Sequence, residues 1–502
     1  MEVQTVIIQA GGQGTRMGHY TQNRPKCLIP HKGKTILENN LNYLINKKII
    51  IIVDHLSDLL INYAQTILKR SDIIFIKATQ KSTSSGLKEA TSYLANDEPF
   101  ALIWSDLFLE DYLDLNIKED ITVGITNNFT CRWKFENNKF IKESGSKNGV
   151  MGIFLFKNKD LLSHFDETKT VVGGNLANLD FLNIQSKIYD TVIEIGELDT
   201  YEALVSSSAK CRFFNKIEYK DKTVIKTCVD SKYSNLINDE IDWYTFVKNK
   251  INFIPELINV SPFTLSKLEG KHLYSLDLSS NQKYKILDSI YFNLDTLHNI
   301  DTKPSLWEDI EEIYINKTFN RVYSVSSIIP YFNDEYIKIN NKLNLNPFHP
   351  KNIESFKTQL KSISVPNYNI IHGDTTFSNI LLVDTKCYFI DPRGYFGNSK
   401  IYGDKNYDWA KLYYSVNGNY DSINLKKFEV KFGNSEVYLY IKSNGFEECS
   451  QDVIQASKID YKNIELLHSL IWLSLTGYVK EDIEAIFYSF YKGIELWNLT
   501  LK

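Results

Sequence analysis

The chain has 502 residues, too many for one ordinary hydrophobic core, and its 43% hydrophobic and 24% charged residues are typical of a globular protein. A formal net charge of −4 argues against a general binder of nucleic acids or anionic membranes. The six cysteines are scattered without a C-x-x-C pair, and no apolar run approaches the roughly 18 residues that cross a bilayer. We therefore expect a cytoplasmic protein of more than one domain with small-molecule substrates, and no secretory leader, membrane insertion or nucleic acid partner.

Short apolar strands alternate with helical patterns over the first 200 residues. Strands are predicted at residues 3–10, 49–53, 73–77 and 100–104, and helices at residues 37–46, 56–69 and 85–95. This alternation is typical of βαβ units. It predicts a doubly wound α/β domain built on a buried parallel sheet.

A glycine-rich loop follows the first predicted strand, with the sequence Gln9-Ala-Gly-Gly-Gln-Gly-Thr-Arg-Met17. Glycines at 11, 12 and 14 allow the backbone to approach a ligand closely and to turn N–H groups toward an anion. Arg16 supplies positive charge, as does Lys26 in the segment Arg24-Pro-Lys-Cys-Leu-Ile-Pro30. The spacing fits neither the dinucleotide fingerprint nor the P-loop. A phosphate-binding loop and a simple tight turn are the two interpretations.

The loop, the Pro-Lys element and Gly33-Lys34 together resemble the sugar-phosphate nucleotidyltransferase family over residues 1–205. The resemblance implies a Rossmann-like fold of the GT-A type. It further implies that Gly11, Gly12 and Gly14 bind the NTP phosphates and that Arg16 and Lys26 stabilise charge at the α-phosphorus. Gln80 takes the place of the family's base-reading glutamine. Ser85-Gly86-Leu87 departs from the Gly-Thr at the family's helix start, and Cys27 is expected to pack rather than to act as a nucleophile.

Two carboxylates complete this resemblance. Asp106 ends the strand segment Ile103-Trp-Ser-Asp106, where the family has a Mg²⁺-binding Asp. Glu194, in Ile193-Glu-Ile-Gly196, stands where the family has its second metal-binding Asp, and a Glu ligates Mg²⁺ through oxygen as well. Asp106 could instead cap a helix, but the carboxyl end of a parallel strand favours ligand binding.

The pattern changes after about residue 206, which divides the chain into predicted domains 1–206 and 207–502. A hairpin is predicted at residues 211–219 and 223–228, followed by a helix at 238–248 and a strand at 263–268. Beyond residue 273 the chain is expected to be largely helical, with strands at 370–371, 380–383 and 386–390.

The second domain carries the motif His372-Gly-Asp-Thr-Thr-Phe-Ser-Asn379, followed by Ile390-Asp-Pro-Arg-Gly394. A phosphoryl-transfer site needs a carboxylate that orients or deprotonates a hydroxyl, together with oxygen ligands for Mg²⁺. An Asp five residues before an Asn, with another Asp further on, supplies that set. It parallels the protein-kinase catalytic loop without matching its sequence.

This motif resembles the aminoglycoside phosphotransferase and choline kinase superfamily, which implies an α+β, bilobal, protein-kinase-like domain. By position, Asp374 is then the catalytic base, and Asn379 and Asp391 bind Mg²⁺. The resemblance also makes Lys226 the ATP-binding lysine and Glu240 its helix partner. In addition, His372 is expected to shape the loop, and Asp408 to cap a helix and brace the loop.

Two such domains in one chain predict a bifunctional enzyme with Mg²⁺ at both sites. ATP would phosphorylate a small hydroxyl compound, with a sugar favoured. A second NTP, with CTP or UTP favoured over GTP, would then convert the ester to an NDP-activated precursor for surface polysaccharide. The alternatives are a choline, amino-alcohol or polyol kinase joined to a cytidylyltransferase, and a regulatory protein with one degenerate domain.

Overall fold

The computed structural model describes residues 1–79, 83–165, 175, 182–207, 215–229 and 231–501. The chain divides into two compact units. Unit 1 comprises Met1–Ser208 with Glu481–Ile483, and unit 2 comprises Ala209–Lys480 with Glu484–Lys502. Within the described part of the chain, no helix combines the length and apolar character needed to cross a membrane.

Unit 1 is built on a mixed sheet that has nine strands in the described residues. Four parallel strands form one half of it, in the order Phe100–Trp104, Thr5–Gln9, Lys48–Val53 and Ile74–Lys77. They match the four strands predicted from the sequence. Their side chains explain why the prediction worked, because Ile7, Ile50 and Leu102 are fully buried and a parallel strand covered on both faces is apolar along its length.

Antiparallel strands extend the sheet beyond Phe100–Trp104, and the alternating sequence pattern did not predict them. Gly149–Phe156 pairs with Phe100–Trp104 and is buried along its whole length. The remaining strands of this half are Ile121–Thr126, Lys134–Glu136, Lys139–Ile141 and Ile184–Ile188. The last of them pairs parallel with Ile121–Thr126.

Three helices of unit 1 lie close to their predicted positions: Ile36–Tyr43, Ser57–Asn62 continued by the π-turn Tyr63–Ile67, and Thr83–Thr91. A further helix, Leu198–Ser207, was not predicted. Short 3₁₀ segments are Thr15–Thr21, Lys26–Leu28 and Lys159–His164, and small two-stranded ladders are Pro30–His31 with Lys34–Thr35 and Leu107–Leu109 with Val192–Glu194. The first helix begins at residue 36 because Thr35 is its N-cap and accepts a hydrogen bond of 3.1 Å from the Glu38 N–H.

Unit 2 opens with a four-stranded antiparallel sheet and a helix. The strands lie in the order Asn215–Tyr219, Thr223–Cys228, Phe263–Ser266 and Leu257–Val260, and the helix is Ser234–Val247. Trp243 and Tyr244 are buried on this helix. The hairpin has the predicted turn, whereas residues 211–214 of the predicted first strand lie outside the described residues.

Helices form most of the remainder of unit 2. The α-helices are Ser280–His298, Trp307–Ile310, Lys317–Tyr323, Ile353–Lys361, Lys405–Val416, Asp421–Asn424, Ser450–Ser457, Tyr461–Thr476 and, from residue 484 onward, Ile483–Thr500. A π-turn at Glu311–Asn316 joins two of them, and 3₁₀ segments are Ser231–Tyr233, Leu273–Ser275, Ser326–Ile328, Phe377–Asn379 and Glu447–Cys449.

Several short ladders lie among these helices. They are Lys271–His272 with Ile380–Val383 and Lys386–Phe389, Thr302–Pro304 with Asn367–Ile370 and Tyr402–Gly403, and Tyr395–Phe396 with Ser399–Lys400. A further four-stranded sheet has the order Lys342–Leu345, Tyr336–Ile339, Glu436–Ile441 and Phe428–Gly433. The prediction of a largely helical region was therefore wrong at residues 336–345 and 428–441. The two-residue turn Asn434-Ser435, which joins two alternating segments, is the hairpin signal in this part of the sequence.

Candidate active sites

Unit 1 contains a cleft with a volume of about 1050 Å³, the size typical of small-molecule sites. Seven of the eight site residues predicted in this part of the chain line it: Gly11, Gly12, Gly14, Arg16, Lys26, Asp106 and Glu194. The eighth, Gln80, lies outside the described residues.

A side chain at Gly14 would be strained by the fold itself, whereas a side chain at Gly12 would not. Gly14 has a φ of +67°, and a Cβ there would lie 2.9 Å from Thr21 Cγ2, so its own fold excludes a side chain. The Thr21 hydroxyl also donates a 2.9 Å hydrogen bond to the Gly14 carbonyl. A Cβ on Gly12, in contrast, would meet no atom within 4 Å. No described neighbour therefore requires glycine at 12, and its backbone is open to a ligand in the cleft.

An apolar cluster joins the glycine-rich loop to the segment that follows Glu194. Met17 and Ile29 are fully buried in it together with Ile195 and Tyr201. The Tyr201 hydroxyl donates a 2.7 Å hydrogen bond to the Pro30 carbonyl. The segment after Glu194 is thereby fixed against the segment that carries Lys26.

Backbone pairing brings the two predicted metal ligands together. The strand Val192–Glu194 runs antiparallel to Leu107–Leu109, with Glu194 opposite Leu107. The next N–H, that of Ile195, donates a 2.8 Å hydrogen bond to the Asp106 carbonyl. A Cβ on Gly196 would lie 2.5 Å from Glu194 Oε1 and 3.2 Å from Asp106 Oδ2, so both carboxylates approach the same glycine.

Charges in the cleft are closely arranged. Lys26 Nζ lies 3.0 Å from Asp106 Oδ2 and 3.4 Å from the Gly196 carbonyl oxygen. Arg16 forms an ion pair with Glu197. Burial, and then the neighbouring charge of Asp106, raise the pKa of Glu194 to about 7.

The carboxylates fit a Mg²⁺ ion that shares its ligands with a substrate. Asp106 Oδ1 is buried and has no hydrogen-bond partner among the described residues, and an unpaired buried carboxylate oxygen is suited to a cation. No group of three or more His, Cys, Asp or Glu side chains in the described part of the chain could hold a metal ion. Asp106 and Glu194 would thus supply two ligands, and substrate phosphates and water the others, as Mg²⁺ commonly requires.

Several residues that line the cleft belong to no motif recognised in the sequence. Arg132 and Lys142 add positive charge to the cleft from the antiparallel half of unit 1, and Trp133 adds an aromatic wall. Cys27 packs as expected: it is buried, and burial raises the pKa of its thiol to about 12, which disfavours the reactive thiolate. Gly86 also has a packing role, since a Cβ there would lie 2.8 Å from Ile52 Cγ2.

A second constellation lies in unit 2, around Asp374. Asn379 Nδ2 donates hydrogen bonds to the Asp374 carboxylate at 3.0 Å and to its carbonyl at 2.8 Å. Lys411 Nζ lies 3.0 Å from the other carboxylate oxygen. Burial opposes the charge of Lys411, but Asp374 outweighs it and raises the pKa of the ammonium. Lys411 was not singled out in the sequence, because it lies on a helix far along the chain from the motif.

Lys226 connects the hairpin to the second predicted metal ligand. Its Nζ lies 2.6 Å from Glu240 Oε2 and 3.0 Å from Asp391 Oδ1. Burial works against the charge of Lys226, but the carboxylates of Asp391 and Glu240 outweigh it and raise the pKa of the ammonium. Lys226 and Glu240 are almost fully buried, whereas the Asp391 side chain is 43% exposed and can reach a ligand.

Asp408 braces the loop but does not cap the helix, which corrects one expectation. Its carboxylate accepts hydrogen bonds from the His372 N–H at 2.8 Å and the Gly373 N–H at 2.6 Å. The N-cap of Lys405–Val416 is Asp404, whose side chain accepts a 2.9 Å hydrogen bond from the Asn406 N–H. Asp404 and Asp408 are both buried, and they have different roles: Asp404 caps the helix and Asp408 braces the loop.

Residues 6–113 match the family model of the MobA-like NTP transferase domain, so the chain contains an N-terminal domain of this type. Over 223 residues it is 26% identical to a bifunctional sugar-1-phosphate nucleotidylyltransferase/acetyltransferase of Sulfurisphaera tokodaii. The aligned region is 43% of this chain and 50% of the relative. It is also 27% identical over 207 residues to the bifunctional protein GlmU of Methanococcus maripaludis. That aligned region is 39% of this chain and 45% of GlmU.

The chain thus spans about half the length of the curated relatives it matches. Among solved structures it is similar to HddC from Yersinia pseudotuberculosis, with 19% identity and a TM-score of 0.34. That match covers 41% of this chain and 98% of HddC.

Proposed function

We propose that unit 1 is a nucleotidyltransferase that joins a nucleoside monophosphate from an NTP to a phosphate ester and releases pyrophosphate. The observation that carries this proposal is the cleft itself. It combines an open glycine backbone at Gly12 with Lys26, Asp106 and Glu194. The match of residues 6–113 to an NTP transferase domain supports it.

The reaction needs no covalent enzyme intermediate. An oxygen of the phosphate ester attacks the α-phosphorus in line, a new P–O bond forms, and the bond to the bridging oxygen breaks as pyrophosphate leaves. The loop N–H groups bind the phosphates, while Lys26 and Arg16 stabilise the charge that develops. A Mg²⁺ ion held by Asp106 and Glu194 would supply further neutralisation of phosphate charge.

A sugar phosphate is the acceptor we favour for unit 1. The relative from Sulfurisphaera tokodaii is named for a sugar-1-phosphate, and the cleft offers Arg132 and Lys142 as additional cations for an ester phosphate. An aromatic wall such as Trp133 suits either a sugar face or a nucleobase.

We further propose that unit 2 is a phosphotransferase that uses ATP and a hydroxyl acceptor. Asp374 accepts the hydroxyl proton, a bond forms between that oxygen and the γ-phosphorus, and ADP leaves as the bond to its bridging oxygen breaks. Asn379 fixes the Asp374 carboxylate at 3.0 Å. Asp391 and Asn379 would hold Mg²⁺, and Lys226, positioned by Glu240, would bind ATP phosphates.

Together the two activities form a sequence in which the ester made by unit 2 is the acceptor for unit 1. The product is an NDP-activated compound suited to the assembly of surface polysaccharide. Each unit keeps its own residues and its own nucleotide. The two steps can therefore be separated by substitution.

The test of unit 1 is pyrophosphate release from each NTP with a panel of esters that includes sugar 1-phosphates, phosphocholine and polyol phosphates. We expect release with one class of ester and its loss in Asp106→Asn. Asp72→Asn, at an exposed ion pair with Arg70 in the same unit, is the matched control and should retain activity. If pyrophosphate is released only with phosphocholine and CTP, the acceptor of unit 1 is an alcohol phosphate and not a sugar phosphate. The absence of release with any pair would refute the transferase.

The test of unit 2 is ADP release from ATP with free sugars, amino alcohols, polyols and sugar acids. We expect one class to be phosphorylated and Asp374→Asn to abolish its turnover. ADP release that is unchanged in Asp374→Asn would refute the assigned base.

A further inference from the structure

Four cationic side chains converge beside Asp374 in unit 2. Lys317 and Arg321 are four residues apart on the helix Lys317–Tyr323 and therefore lie on one face of it. Arg393 follows Asp391 in the second motif, and Lys411 lies on Lys405–Val416. All four residues are partly exposed.

The ring of Tyr407 lies near two members of this cationic cluster. Lys317 Nζ is 5.6 Å and Lys411 Nζ 5.9 Å from its centroid. The two arginines stack on other rings, Arg321 at 5.0 Å from Tyr478 and Arg393 at 4.2 Å from Tyr395. Aromatic faces thus hold the cations in position without neutralising them.

Among the described residues, one member of the cluster forms an ion pair with a carboxylate. Lys411 pairs with Asp374 at 3.0 Å. Among the described residues, no carboxylate oxygen lies within 4.0 Å of the charged nitrogens of Lys317, Arg321 or Arg393. Arg321 instead donates a 3.0 Å hydrogen bond to the Ser474 carbonyl.

The charges of the cluster repel one another, although Glu312 opposes this effect at Lys317 and Asp374 opposes it at Arg393. Burial, together with the charges of Arg393, Arg321 and Lys411, lowers the pKa of Lys317 well below its usual range. Holding like charges together in a partly desolvated place is unfavourable, and an anion in their midst removes that cost. A cationic acceptor such as choline or an aminoglycoside would add to the repulsion.

We propose that the acceptor phosphorylated by unit 2 carries an anionic group, a carboxylate or a phosphate, and that Lys317, Arg321 and Arg393 bind that group. The inference rests on the phosphotransferase function proposed for unit 2 and specifies its substrate class. The acceptor then has a hydroxyl at Asp374 and its negative charge on the cationic cluster. Sugar acids, hydroxy acids and sugar phosphates fit this description.

The test uses matched acceptors that differ in charge: glycerol with D-glycerate, D-galactose with D-galacturonate, and D-glucose with D-glucose 6-phosphate, with choline as the cationic member. ADP release by the full chain is measured with ATP and Mg²⁺. We expect kcat/KM for an acidic acceptor to exceed that for its neutral partner by about tenfold or more, since charge-assisted hydrogen bonds are the strong ones. Turnover of neutral sugars or choline in preference to the acids would overturn the inference.

Substitution at the cluster tests the named residues. The double variant Lys317→Gln, Arg321→Gln should raise KM for the acidic acceptor about tenfold more than it raises KM for the neutral partner. Lys351→Gln, an exposed lysine of the same unit paired with Glu335, is the matched control and should behave as the unsubstituted chain. An equal loss with acidic and neutral acceptors would show a structural role and refute the assignment.

Calorimetric binding separates this inference from the phosphotransferase function. D-glycerate, D-galacturonate and D-glucose 6-phosphate are titrated into the full chain and into the double variant, with MgADP present. Binding of an acid that is lost in the double variant supports the anionic site, even if no acceptor is turned over and the kinase assignment fails. Absence of binding and of turnover for every acid overturns it. The carboxylate and phosphate arms distinguish which anion is preferred.

Discussion

Substituting two glycines of the same loop separates ligand binding from folding in unit 1. At Gly12 an added methyl group meets no atom of the described residues within 4 Å, and the backbone is not in the left-handed region. Gly12→Ala should therefore leave the free energy of unfolding unchanged or raise it by up to about 1 kcal/mol, because alanine restricts the unfolded chain. In the folded chain only a bound ligand would collide with the new methyl group.

Gly14→Ala is the matched control, since its cost arises within the protein. A side chain at φ +67° is strained, and its Cβ would lie 2.9 Å from Thr21 Cγ2. We expect a loss of about 1–3 kcal/mol, the sum of a left-handed backbone for alanine and the displacement of Thr21. This variant should have a lower Tm whether or not nucleotide is present.

Scanning calorimetry and pyrophosphate release at varied NTP concentration measure the two effects. Gly12→Ala should retain its Tm and lose about tenfold or more in kcat/KM for the NTP, a loss equivalent to at least ~1.4 kcal/mol of binding energy. Unaltered kcat/KM for the NTP in a folded Gly12→Ala protein would refute the assignment of this backbone to the phosphates. A fall in Tm would refute the statement that nothing in the fold requires glycine there.

Three other substitutions test separate parts of the account. Asp106→Asn should abolish Mg²⁺-dependent pyrophosphate release and leave ADP release by unit 2 intact, and loss of both activities would contradict independent sites. Glu194→Gln should raise the Tm of the metal-free protein more at pH 8 than at pH 5. In the folded protein the pKa of Glu194 is raised to about 7, so ionising this carboxyl destabilises the fold. That cost is absent at low pH and complete above pH 7, and glutamine removes it. An equal difference at both pH values would contradict that burial penalty. Asp408→Ala should destabilise the chain by about 2–4 kcal/mol, because it leaves the buried N–H groups of His372 and Gly373 unpaired. Denaturation with urea would measure this loss, and a loss below about 1 kcal/mol would contradict the brace.

Local patterns allowed much of the parallel half of unit 1 to be predicted. Its strands are apolar along their whole length, and the glycine loop lies between the first strand and a charged segment. The same holds for Asp106, since a carboxylate at the carboxyl end of a parallel strand is placed at the ligand-binding edge. The antiparallel strands after residue 120 had no comparably clear pattern. Arg132 and Lys142, which they and their loops bring to the cleft, were missed for that reason.

Residues that act through tertiary packing could not be inferred in the same way. Lys411 reaches Asp374 from a helix 37 positions further along the chain, and nothing near the motif predicts that contact. Lys317 and Arg321 had a local signal, their four-residue spacing on a helix, but it is common on solvated helices. Asp408 was expected to cap the helix as well as to brace the loop, because it lies in the first turn of Lys405–Val416. The hydrogen bonds show that Asp404 is the cap and Asp408 the brace.

The central claim, two independent active sites that act in sequence, is tested most directly by product analysis with a phosphorylatable acceptor, ATP, a second NTP and Mg²⁺. The full chain should release ADP and pyrophosphate and form the NDP-activated acceptor, detected by mass spectrometry. Asp374→Asn should form no product unless the phosphate ester is supplied, and Asp106→Asn should accumulate that ester. Mixing the two variants should restore the product. Loss of pyrophosphate release in Asp374→Asn when the ester is supplied, or loss of ADP release in Asp106→Asn, would contradict the account.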